Sequence, residues 1–103
     1  MNPTSEKAIE KLIAKYCKDR GMVTLKLEGS HDVGKPDRAI WFQREGIVIE
    51  VKSKGKKPTA KQLYWLAKFR EAGVLSYWVD NWPEAEVLLE NFYYRGLERK
   101  KLL

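Results

Sequence analysis

The chain has 103 residues, with 20 Lys plus Arg against 14 Asp plus Glu and a net charge of +6 at pH 7; that size suits one domain spanning 1–103, and the charge favours a polyanionic partner. Hydrophobic residues at 44% and charged residues at 33% match a soluble globular domain and exclude a disordered tail. With one cysteine, Cys17, and one histidine, His31, an intrachain disulfide and a Cys/His zinc cage are both excluded, so any metal site must be built from carboxylates.

Helical spacing of Ile9, Leu12, Ile13, Tyr16 and Cys17 predicts a first helix over 5–20, stopped at Gly21. Val23, Leu25 and Leu27 alternate with Thr24, Lys26 and Glu28, which predicts a half-buried strand over 22–28. Residues 29–36, with two glycines and Pro36, suit an exposed loop running into Asp37. Strands over 37–43 and 46–52 follow, joined by a turn around Arg44, Glu45 and Gly46. After a lysine- and glycine-rich connection over 53–58, Thr59 caps a helix to about Ala72 that presents Leu63, Leu66, Ala67 and Phe69. Val74 to Val79 reads as a fourth strand, reached through a helix and therefore parallel to the strand before it. Pro83 opens a last helix through about Tyr93, and the basic tail to Leu103 carries no clear pattern. The expected architecture is α/β in the order α-β-β-β-α-β-α, a mixed central sheet flanked by helices. No apolar run approaches the roughly 20 residues that cross a bilayer, and the polar start lacks a signal-peptide core, so a cytoplasmic protein is expected.

The hairpin carries the chemistry. Asp37 begins one strand and Glu50 and Lys52 end its antiparallel neighbour, so all three come to one end of the sheet. Glu50 and Lys52 share a face and Val51 points to the other, into the core. Two carboxylates and the Val51 carbonyl form the hard oxygen set that Mg²⁺ or Mn²⁺ prefers. Lys52 beside the metal could orient or deprotonate a water and stabilise charge developing on a phosphate.

The stretch GKPDRAIW, followed by GIVIEVKSKGKKPTAKQ, resembles the PD-D/ExK nuclease motif in the form seen in the VRR-NUC (virus-type replication-repair nuclease) family. The resemblance runs from Ser5 to about Val79, and it implies a restriction-endonuclease-like core and a metal-dependent deoxyribonuclease. By it, Asp37 and Glu50 would bind the metal, Lys52 would assist the nucleophile, Glu6 would support the metal through a water, and Gln62 would line the site. Stand-alone, often phage-encoded members resemble Holliday junction resolvases and dimerise, which implies a homodimer acting on branched DNA in repair or replication, beside a helicase or replication partner that no residue names. Lys35 departs from the small or apolar residue common before the Pro-Asp pair.

Plainer readings stand beside these. Asp37 could be a turn residue, and Glu50 could end its strand in a salt bridge to Lys52 or Arg38. Glu6 and Glu10, one turn apart in the first helix, could each be a solvated surface residue or an acid favoured by the helix dipole; the family pattern favours Glu6. Lys35, Lys54, Lys56, Lys57 and Lys61 could neutralise DNA phosphates or merely keep a connection soluble. His31 could contact DNA or be a bystander, and Trp65, Trp78, Trp82, Phe92, Tyr93 and Tyr94 could stack on bases, fill the core or form a dimer interface. The rival functions are a nicking or restriction-like endonuclease on linear duplex and a non-catalytic DNA-binding module. No P-loop, dinucleotide fingerprint or Ser/His/Asp set is present.

Overall fold

The computed structural model describes residues 3–27 and 33–102. Its elements are α1 (Glu6–Asp19), β1 (Val23–Lys26), β2 (Arg38–Phe42), β3 (Glu45–Val51), α2 (Ala60–Glu71), β4 (Leu75–Val79) and α3 (Trp82–Lys101), the order expected from sequence. The strands form one sheet in the order β1-β2-β3-β4, antiparallel except for the parallel pair β3–β4. His31 falls outside the described residues.

The helices start where short polar side chains can cap them. Ser5 Oγ accepts from Ala8 N, and Asn81 Oδ1 accepts from Glu84 N. Thr59 and Gln62 form a reciprocal capping box, with Gln62 N donating to Thr59 Oγ1 and Thr59 N donating to Gln62 Oε1.

Alternation along the strands sorts the sheet into two faces. Ile40, Phe42, Ile47, Ile49, Val51 and Val79 meet Ile9, Ile13 and Cys17 of α1 and Ala85, Leu89 and Phe92 of α3 in the main core. On the other face Ala39 and Val48 meet Leu66 of α2, bordered by Leu27, Phe69 and Val74. This second layer is a single short helix and covers only part of its face. Val23 and Leu25, expected to be buried, are therefore each 58% exposed, and Leu63 and Ala67 of α2 also face outward.

Two sequence expectations change at the hairpin and the C-terminal segment. The turn is Gln43-Arg44, not Arg44 to Gly46, and both residues take positive φ, 47° and 72°. Tight hairpins use this left-handed pair to match strand twist, normally with Asn and Gly. Here the turn is held from outside: Arg99 donates from Nε to Gln43 O (2.7 Å) and from Nη2 to Phe42 O (3.1 Å), and its Nη1 meets Glu45 Oε2 at 2.7 Å. The basic tail is thus helical, because α3 runs on to Lys101 over the hairpin instead of ending near Tyr93. Gly96 permits the approach, since a β-carbon there would overlap the Phe42 ring.

Among the described residues, no helix is long and apolar enough to cross a membrane.

Candidate active site

The site is assembled where β2 begins and β3 ends. Arg38 pairs with Ile49 in the antiparallel register, which sets Asp37 across from Glu50. The approach to Asp37 is held against α2. Trp65 Nε1 donates to Val33 O (3.1 Å), and Gly34, at φ 89°, lies so near that a β-carbon would come within 2.9 Å of Lys61 backbone carbon. Buried Pro36 follows, then Asp37, whose Oδ2 accepts a 2.7 Å hydrogen bond from Val51 N and whose carbonyl accepts from Leu27 N.

Glu50 is 2% exposed, and its Oε1 has no hydrogen-bond partner. Burial first, then hydrogen bonding to and repulsion from the Asp37 carboxyl, push its pKa up to about 9, against the opposing pull of Lys52. Neither proposed salt bridge supports Glu50. Arg38 leaves the opposite sheet face, with its Nε 3.6 Å from Glu10 Oε1 and its Nη1 donating to Thr24 Oγ1, and no Lys52–Glu50 contact falls among the ion pairs of the described residues. Val51 points into the main core, 1% exposed, and the Lys52 backbone N–H donates to Val79 O at 2.8 Å.

Glu6 opens α1 in an exposed position, with its charge near enough to raise both Glu50 and Glu10. Glu10, one turn later, is the more enclosed acid, its side chain 14% exposed. Burial, then the Asp37 charge, raise its pKa while Lys26 and Arg38 lower it. Sequence reading left Glu6 and Glu10 as alternatives and favoured Glu6. Arg38 was the available signal: on a strand whose Ile40 and Phe42 face the core, an arginine two positions earlier faces the core too and needs a buried acid.

Gln62 is half-buried, with Oε1 engaged by the Thr59 cap. Lys35 is half-buried beside Pro36, whereas Lys54, Lys56, Lys57 and Lys61 are exposed. The connection carrying three of these lysines is anchored near its start: Lys54 N donates to Thr4 O (2.9 Å) and Gly55 N to Asp80 Oδ2 (3.0 Å). The Asn81 amide, then the Gly55 N–H, hold the Asp80 carboxyl below its usual range. Of the aromatic set, Phe92 is core, Trp82 packs edge-on against Tyr16, Tyr93 stacks on Phe42, and Tyr94 and Trp78 remain exposed.

A solved structure described as a VRR_NUC domain aligns with a TM-score of 0.77 at 26% identity, covering 87% of this chain and 99% of its own. The chain folds as a VRR-NUC domain. No family model matches it, and no curated protein does. The likeness is to a nuclease-domain family, which implies a divalent metal ion.

On this VRR-NUC fold the donor set suits such an ion. Among the described residues no three His, Cys, Asp or Glu side chains converge as a ready cage. The pair Asp37 and Glu50 offers carboxylate oxygens, one of them buried and unpartnered, beside the backbone of Val51. Few protein oxygens with the remaining positions left to water is the coordination Mg²⁺ commonly takes.

Proposed function

We propose that this chain is a divalent-metal-dependent endonuclease that hydrolyses DNA phosphodiester bonds at Asp37, Glu50 and Lys52. The observation that carries the reading is Glu50: a carboxyl group buried at a strand end, against another carboxylate, with no ion pair among the described residues beyond the longer-range pull of Lys52. Such an arrangement is costly for the fold alone and is relieved when a cation binds.

Asp37, Glu50 and the Val51 carbonyl would hold Mg²⁺ or Mn²⁺, with Glu6 reaching the ion through a water. When bound, the metal supplies charge neutralisation and Lewis acidity at the phosphate. Lys52 orients the attacking water or takes its proton, and its positive charge favours the pentavalent phosphate. The hydrogen bond from Val51 N fixes the Asp37 carboxylate, and Gln62 lines the cleft. Lys35, Lys54, Lys56, Lys57 and Lys61 neutralise flanking phosphates without reading bases. Such a protein would act in the cytoplasm.

The reading extends to a homodimer acting on branched DNA. It is supported by the apolar strip of Val23, Leu25 and Trp41, exposed along β1 and the adjoining β2 at the sheet edge. A second copy docked there by two-fold symmetry would set two sites across a branch point. Sedimentation of wild type and Leu25→Lys tests this: a dimer that the variant converts to monomer agrees, and a monomeric wild type removes the dimer.

The test of the function is cleavage of labelled four-way junction, flap, linear duplex and single-stranded DNA with Mg²⁺, Mn²⁺ or EDTA. Metal-dependent cutting is expected, with branched DNA preferred. Binding without cutting under every condition would favour a non-catalytic DNA-binding module.

A further inference from the structure

Trp78 on β4 stands in register with Glu50 on β3. Paired residues leave the same face of a sheet about 4.8 Å apart, so the indole is the strand-to-strand neighbour of the buried carboxylate. Two of the other three tryptophans are held by partners in the fold, and Trp41, itself 43% exposed, sits at the turn end of the hairpin, away from Glu50. Trp65 donates to Val33 O, Trp82 packs edge-on against Tyr16, and Trp41 lies against Gly46, where a β-carbon would come within 3.0 Å of its ring. Trp78 is 37% exposed and stands outside the apolar cluster beneath α2. Among the described residues it enters none of the ring–ring contacts.

An exposed π surface beside Glu50, whose carboxyl feels the charge of Lys52, has one natural ligand chemistry. A phosphate satisfies the lysine, and the aromatic group attached next to every phosphate is a base. Inside a duplex both faces of a base are already stacked. Only an unpaired nucleotide, in a single strand, at a flap or at a branch point, leaves a face open to the indole.

We propose that Trp78 stacks on an unpaired base next to the phosphate held at Asp37 and Glu50, so that the site selects DNA with an unstacked nucleotide at the point of cleavage. The inference rests on the nuclease reading above and names its substrate class. Loss of one base–aromatic stack weakens binding roughly 5- to 150-fold.

The test measures affinity of the full chain for oligothymidylate and for a blunt duplex of equal length, in EDTA, by anisotropy and by tryptophan emission. In the wild type, the single strand should quench emission more than the duplex does. Trp78→Phe, which keeps a ring but removes the indole, should abolish that excess quench while retaining most of the single-strand affinity. Trp78→Ala should lower the ratio of single-strand to duplex affinity roughly 5- to 150-fold, with melting curves confirming a folded protein. An unchanged ratio in Trp78→Ala, or an equal loss on both DNAs as a packing role would give, overturns the proposal. Normal metal-dependent cutting with an unchanged ratio removes the stacking alone. A falling ratio in a protein that cuts nothing removes the nuclease reading and keeps the stacking.

Discussion

Asp37 Oδ2 accepts a 2.7 Å hydrogen bond from the Val51 backbone N–H, the residue between Glu50 and Lys52. One bond thereby closes the open end of the hairpin and sets the two acids against each other. Asp37→Asn keeps an acceptor for Val51 but removes the charge. The variant is expected to melt within a few degrees of wild type and to lose at least about a hundredfold in cleavage rate, the scale on which one electrostatic stabiliser of a transition state acts. Thermal melts and single-turnover cleavage check it; a variant that cuts at the wild-type rate contradicts it.

Glu50 makes the metal-free protein sensitive to pH. Its folded pKa of about 9 lies above its ordinary 4.5, so between these values the folded state holds a proton that the unfolded state has released. Stability in EDTA therefore falls as pH rises from about 5 toward 9. Glu50→Gln should flatten that slope and raise the melting temperature more at pH 8.5 than at pH 5. A metal held by Glu50 as proposed would displace the same proton, so the rise in melting temperature on adding Mg²⁺ to wild type should be larger at pH 8.5 than at pH 6. Parallel pH curves for wild type and Glu50→Gln would contradict this account.

The start of the lysine-rich connection is held by Thr4 and Asp80, with its cations exposed beyond that anchor. Each phosphate contact contributes about 0.9 to the slope of log affinity against log salt for duplex DNA. Replacing Lys54, Lys56, Lys57 and Lys61 together with Gln should lower that slope by up to about 4 while leaving the melting temperature within a few degrees. A titration from low to moderate salt decides it, and an unchanged slope would assign these lysines to solvation alone.

Element order was legible because short-range signals agree with the tertiary structure: helical spacing in α1, alternation through the hairpin, Thr59 as a cap and a helix crossover before β4. The proximity of Asp37 and Glu50 followed from antiparallel pairing alone. What sequence could not supply depends on contacts distant in the chain. Val23 and Leu25 alternate like a buried strand, yet the single helix α2 does not reach them. Gln43 and Arg44 lack the residues of a left-handed turn, and Arg99, far along the chain, holds that turn. The choice between Glu6 and Glu10 stayed open in the sequence, although Arg38 on the core side of β2 was a signal for the enclosed acid, Glu10.

Arg99 supplies the next prediction. Its guanidinium binds two turn carbonyls and Glu45 together, a planar fork that lysine cannot copy. Arg99→Ala should cost about 1–3 kcal/mol, a fall in melting temperature of roughly 4–8 °C per kcal/mol for a domain of this size, and Arg99→Lys should recover little of it. Full recovery by lysine would reduce the contact to a simple charge pair.

Lys52 tests the central claim most directly, because the proposal gives it a part in catalysis without making it a metal ligand. The measurement is single-turnover cleavage of the preferred DNA in saturating Mg²⁺ by wild type and Lys52→Ala, with binding of both to the same DNA in EDTA. The account predicts that Lys52→Ala binds within a few-fold of wild type and cuts at least about a hundredfold more slowly. Cutting by Lys52→Ala at the wild-type rate would contradict the assignment of this site.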